Sequence, residues 1–167
     1  MKNNVKILDC TLRDGGYCNN WDFGLKNIRY ITRKLVSAGI DMVECGFLSQ
    51  KKLSTIENTI FDTVSSVKDV LPETRGCTEF VCMINYGEYN VEDLEPYDGT
   101  SIDGIRVAFH KQNMQQAIEM CHVIKSKGYG VYVQPMVTLN YTDAEIIELI
   151  EKVFYIKLAI WGIVMKD

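Results

Sequence analysis

The sequence predicts an α/β fold with a parallel sheet, of the (β/α)8 TIM-barrel type but incomplete, with about six βα strands. Three observations predict it. Strand-like and helix-like segments alternate along the 167 residues, and such alternation gives parallel strands joined by right-handed crossovers. No GxGxxG or Walker lysine pattern follows the first strand, where an open doubly wound sheet normally carries one. Six strands consume the whole chain, whereas a closed barrel typically takes ~250 residues. Residues 1–167 are therefore expected to form a single, partial barrel domain.

The elements follow in order. Val5–Thr11 is apolar and short enough for a first strand, ended by the Gly15-Gly16 pair. A helix is expected from Gly24 to Ala38, with Leu25, Ile28, Ile31 and Leu35 on one face, Asp22 near its start and Gly39 past its end. Met42–Phe47 reads as the second strand. Ile56, Ile60, Val64 and Val67 fall at helical spacing, which predicts a helix over 54–71 closed by Pro72. Glu79–Ile84 is the third strand, Val91–Leu94 a short helical piece and Gly104–Phe109 the fourth strand. A helix over Met114–Lys127 stops at Gly128, and Gly130–Met136 is the fifth strand. Thr142 and Glu145 form a capping box that opens a helix to about Lys152, and Phe154–Ile156 begins a sixth strand.

Composition narrows the function classes. A 47% hydrophobic chain buries one sizeable core, and a net charge of −4 with both signs dispersed offers no footprint for nucleic acid or an anionic membrane surface. Leu158–Met165, the longest apolar stretch, is too short to span a bilayer. Met1–Asn4 leads straight into a strand without a signal peptide, and the six cysteines show no CxxC pair. A cytoplasmic protein with reduced, mostly buried thiols is the expectation.

The chemistry-bearing string is Asp9-Cys10-Thr11-Leu12-Arg13-Asp14-Gly15-Gly16. A charged pair at the C-terminal end of a strand, before backbone able to take positive φ, is a usual place for chemistry in α/β proteins. Asp14 offers hard oxygen donors for Mg2+ or Mn2+, and Arg13 a planar fork of donors for a carboxylate or an enolate oxygen. The competing reading is an ordinary Asp-Gly turn carrying a local salt bridge.

With Asn19-Asn20-Trp21 shortly after it and Glu44-x-Gly46 on the second strand, this string resembles the metal-dependent carbon–carbon lyase and synthase superfamily. That superfamily includes hydroxymethylglutaryl-CoA lyase and 4-hydroxy-2-oxovalerate aldolase, and the resemblance is strongest to the aldolase branch. It covers roughly residues 5–156 and is most specific in the first fifty. It implies a (β/α)8 barrel and metal-assisted retro-aldol cleavage of a 4-hydroxy-2-oxo acid to pyruvate and an aldehyde through an enolate. By the same resemblance Asp14 matches the metal ligand (for Mn2+ or Mg2+), Arg13 the arginine that stabilises the enolate oxygen, and Glu44 an acid at the mouth of the pocket.

The chain departs from that pattern in three places. Tyr17 stands where the aldolases carry a histidine base, and a phenol with an ordinary pKa of about 10 is a poorer base at neutral pH. No His-x-His pair occurs anywhere, so Asp14, with Glu44 at best, makes a weak site for a divalent ion. The tail over 157–167 does not resemble the family's continuation, which implies a frameshift or truncation. The alternative reading is accordingly a truncated, catalytically inactive barrel fragment, self-associating or homo-oligomeric to cover open sheet edges.

Other residues are candidates by position. Arg106 lies on the opposite face of the fourth strand from Ile105 and Val107; inward it would hold a substrate carboxylate, outward it would pair with a helix acid. His110 follows that strand on the presumed active face, as a substrate contact or as a solvated loop histidine, and Gln134 and Thr138 lie near the end of the fifth, placed to contact a small 2-oxo acid. His122, mid-helix, reads as a surface residue.

Overall fold

A computed structural model describes residues 5–155 and 159–160. Among them, seven strands form one parallel sheet: β1 (Leu8–Asp9), β2 (Met42–Leu48), β3 (Ile60–Phe61), β4 (Glu79–Asn85), β5 (Gly104–Phe109), β6 (Gly130–Pro135) and β7 (Ala159–Ile160). The helical segments are α1 (Thr11–Asp14), α2 (Leu25–Ser37), α3 (Val64–Val67), α4 (Met114–Ser126) and α5 (Asp143–Tyr155). The strands run β1-β2-β4-β5-β6-β7 in space, with β3 also paired to β2. An order that follows the chain without reversing keeps the crossover helices on one face, unlike a doubly wound sheet. The sheet curls into a half-barrel, consistent with an incomplete α/β barrel.

Strand alternation separates the two faces. Val43, Phe80, Cys82, Ile84, Ile105, Val107, Phe109, Val131 and Val133 join Ile28, Val64, Ile118, Ile124 and Leu149 of the helices in one buried core. The intervening residues line the other, concave face, where Phe47, Met83 and Ala108 form a second, smaller apolar cluster. No helix among the described residues is long and apolar enough to cross a membrane.

Most elements match the sequence expectations, and four depart from them. The first strand is two residues long, because the Asp9 carboxylate accepts hydrogen bonds from the Thr11 N–H and hydroxyl, both at 3.0 Å, and turns the chain into α1. The helix expected over 54–71 is absent. Asn58 Oδ1 accepts from the N–H groups of Thr55 and Ile60, Ile60–Phe61 then pairs with Phe47–Leu48, and the helical part is only Val64–Val67 continued by a 3-10 turn over Lys68–Val70. Ile56 is 58% exposed whereas Thr59 is fully buried, so the helical spacing did not mark a single buried face. At the other end α5 runs through Tyr155, so Phe154 and Tyr155 are helical and the partner of β6 is β7; Ile156 lies outside the described residues. Finally, Gly15 and Gly16 do not adopt positive φ. Gly16 is required for another reason: a Cβ there would fall inside the indole ring of Trp21.

β2 and β3 are positioned by a second close approach. The register between β2 and β4 shifts between Glu44 and Phe47, with one extra residue on β2. Gly46 sits in this bulge at φ +151°, where a Cβ would collide with the carbonyl oxygen of Thr59. That carbonyl accepts the Phe47 N–H at 3.0 Å, so β3 is locked to β2 immediately beyond the bulge. Gly46→Ala and Gly16→Ala should each lower stability by about 3 kcal/mol, read as a lower urea midpoint with unchanged m-value, whereas Gly87→Ala, with nothing near its Cβ position, should cost clearly less.

Candidate functional site

The bulge decides what the concave face presents. Met42 and Glu44 point inward by simple alternation, and the extra residue turns Phe47 inward as well, opposite Met83 of β4. Glu44 is fully buried, an unusual place for a carboxylate unless it is paired. Its Oε2 accepts from Arg13 Nε and its Oε1 from Arg106 Nη1, each at 2.7 Å. Arg106, 5% exposed, reaches across β4 to do this, and its Nη2 donates to Gln134 Oε1 on β6 at 2.7 Å. Arg13 extends the chain outward, Nη1 donating to Asp14 Oδ1 at 2.7 Å, and the Asp14 side chain is 63% exposed. Charges thus alternate from solvent inward: Asp14, Arg13, Glu44, Arg106, ending on the neutral amide of Gln134.

Burial and the Glu44 charge act in opposite directions on Arg13 and in the same direction on Cys10. Burial alone would lower the proton affinity of the Arg13 guanidinium, but the charge and hydrogen bond of Glu44 outweigh it and hold Arg13 above its ordinary value. The Cys10 thiol, 3.7 Å from Arg106 Nη1, is pushed up to about 11, first by burial and then by the Glu44 charge. Among the described residues Arg106 Nε is buried without a hydrogen-bond partner. Two guanidinium groups share one carboxylate in the interior, which leaves the buried part of the network with an excess of positive charge.

Above the polar layer lies an aromatic rim. Phe47 packs edge-on against Trp21 at 5.6 Å between ring centroids, and Trp21 against Tyr17 at 4.9 Å. Asn20 and Trp21 both have positive φ, a costly conformation for non-glycine residues, and Trp21 Nε1 donates to the Arg13 carbonyl at 2.7 Å. The Lys52 ammonium sits 4.4 Å from the Phe47 ring centroid and 5.2 Å from that of Trp21.

Five of the sequence-derived candidates therefore come together: Arg13, Asp14, Glu44, Arg106 and Gln134. The inward alternative holds for Arg106. Glu44 lies in the interior beneath the rim, with both oxygens engaged by guanidinium groups. Tyr17 is 64% exposed, with its ring on Trp21, and His110 is exposed on the turn after β5, so both stand outside the buried network. Thr138 sits in the turn after β6 with a buried hydroxyl that meets no hydrogen-bond partner among the described residues, and His122 is exposed on α4. Sequence reasoning missed Cys10, Phe47 and Lys52. Phe47 could have been found only by recognising Gly46 as a bulge, and Lys52 carries no local signal.

A divalent ion fits these side chains poorly. Among the described residues no three His, Cys, Asp or Glu side chains converge to hold one, Asp14 Oδ1 is occupied by Arg13, and neither oxygen of Glu44 is spare. No family model matches the chain, and no curated protein is significantly similar to it.

Two outcomes are expected. Glu44→Gln should destabilise the fold by about 3 kcal/mol or more, since it strands two buried guanidinium groups; pairing it with Arg106→Met should recover part of that loss in a double-mutant cycle of urea midpoints. Because a raised pKa keeps the thiolate scarce below pH 11, Cys10 should alkylate with iodoacetamide well after exposed Cys18 and Cys77 at pH 8, and catch up as pH rises, followed by peptide mass mapping.

Proposed function

We propose that this chain is an aldolase-type carbon–carbon lyase domain on a (β/α)8-type half-barrel, acting on a 4-hydroxy-2-oxo acid to give pyruvate and an aldehyde. One observation carries the reading: Arg13 is fixed by Glu44 at the C-terminal end of the opening strand, in the string that resembles the lyase superfamily. In the retro-aldol direction the C3–C4 bond breaks as the 4-hydroxyl loses its proton. The electron pair moves onto the 2-oxo group as an enolate, and protonation at C3 yields pyruvate. A guanidinium held rigid before the charge develops stabilises such an oxyanion without reorganising, which makes Arg13 the group that faces the enolate or the neighbouring carboxylate.

Glu44 and Gln134 act as positioning residues in this scheme. Glu44 fixes the Arg13 fork, and Arg106, held between Glu44 and Gln134, adds positive potential beneath the substrate carboxylate. The superfamily resemblance brings a Mn2+ or Mg2+ ion with Asp14 as a ligand. The described donors do not complete such a site, and no step here is routed through it. Tyr17, on the rim, and His110, on the turn after β5, are the candidates for proton transfer.

The incomplete donor set favours a second reading, a domain that binds the 2-oxo acid without cleaving it. Proton NMR in D2O separates the two. The enzyme reading expects the methyl protons of pyruvate to exchange faster with protein than in buffer, and Arg13→Ala to lower that rate roughly 100-fold. Pyruvate binding by calorimetry without accelerated exchange would establish the second reading, and neither binding nor exchange would end both.

A further inference from the structure

We infer that Lys52 recognises the far end of the substrate, and that the substrate class is a 2-oxo acid bearing a second anionic group; this rests on the carboxylate recognition proposed for Arg13. Lysine side chains normally extend their ammonium into water, but this one is folded back over the mouth of the concave face. Its ammonium lies on the Phe47 and Trp21 rings and bridges Glu88 Oε2 at 3.1 Å, with the side chain 29% exposed. Glu88 is itself held, accepting from the Ser49 hydroxyl at 3.2 Å and from Asn85 Nδ2 at 3.3 Å. The ammonium is therefore positioned at the ends of β2 and β4, and Glu88 takes only one of its three N–H donors.

The Arg13 guanidinium packs against the same Phe47 ring, 5.9 Å from its centroid. A guanidinium and an ammonium flanking one ring are no farther apart than the two centroid distances combined, a span that a short dicarboxylate bridges. Aromatic faces attract the cations without offering lone pairs, so the two remaining Lys52 N–H groups are left for an oxygen ligand in the mouth. A 2-oxo acid with a methyl at its far end would leave that ammonium unused; one with a carboxylate would engage it with a charge-assisted hydrogen bond.

Calorimetric titration of the protein with 2-oxoglutarate and with 2-oxopentanoate, equal in carbon number, tests this. The diacid should bind about tenfold more tightly, Lys52→Met should erase the difference while leaving 2-oxopentanoate affinity unchanged, and Lys52→Arg should retain most of it. Circular dichroism and urea midpoints confirm that each variant is folded. Equal affinity for the two acids in the unmodified protein, or a preference that survives Lys52→Met, overturns the inference while leaving the Arg13 reading intact. Failure of both acids to bind overturns the Arg13 reading, and this inference with it.

Discussion

The carboxylate of Glu44, buried between two arginines, is the interaction on which the concave face depends. A lone ionised group at that depth would be untenable, and each arginine alone would be nearly as costly. Joined, they let a half-barrel keep strongly polar side chains in its interior. They also tie together distant parts of the chain: the turn after β1, the middle of β2, and β5 reached across β4. The same pairing fixes the position of Arg13 and ties β2 to β5 across β4.

The proposed function draws on the imbalance of that network. One buried negative charge serves two buried positive ones, and the outer neutralising charge, Asp14, stands largely in solvent. Such an arrangement favours an incoming anion, and its fixed hydrogen bonds aim the donors beforehand. In the proposed function an aromatic rim surrounds the approach to these charges. Trp21, held in a left-handed conformation over Gly16, and Phe47, turned inward at Gly46, form an apolar collar above the charges. The collar strengthens electrostatic contacts beneath it by keeping the local dielectric low.

Much of this was legible in the sequence where local rules dominate. The fourth strand and the Thr142–Glu145 capping box were readable to the residue, because period-two alternation and cap chemistry act within a few positions. Arg13, Asp14 and Glu44 were legible as candidates through their motif. The stretch over 54–71 was legible only in part: of four apolar residues at helical spacing, Val64 and Val67 are helical, whereas Ile60 joins β3 and Ile56 stands on an exposed loop, with the choice made by pairing to β2. The inward direction of Arg106 depended on a partner sixty-two positions away. Lys52 could not be foreseen, since its role arises from rings contributed by Trp21 and Phe47, and pattern analysis along the chain carries no information about such a meeting.

The extra residue in β2 has an evolutionary corollary. On either side of it the even–odd code of the strand is reversed, so selection would act with opposite preferences on positions of the same parity: position 43 must be apolar to serve the helices, while position 47 must suit the concave face. Lineages that lose the inserted residue would carry Phe47 to the helical side and place Leu48 over the charged layer. Length conservation in this strand, more than residue identity, is therefore what keeps the hollow intact.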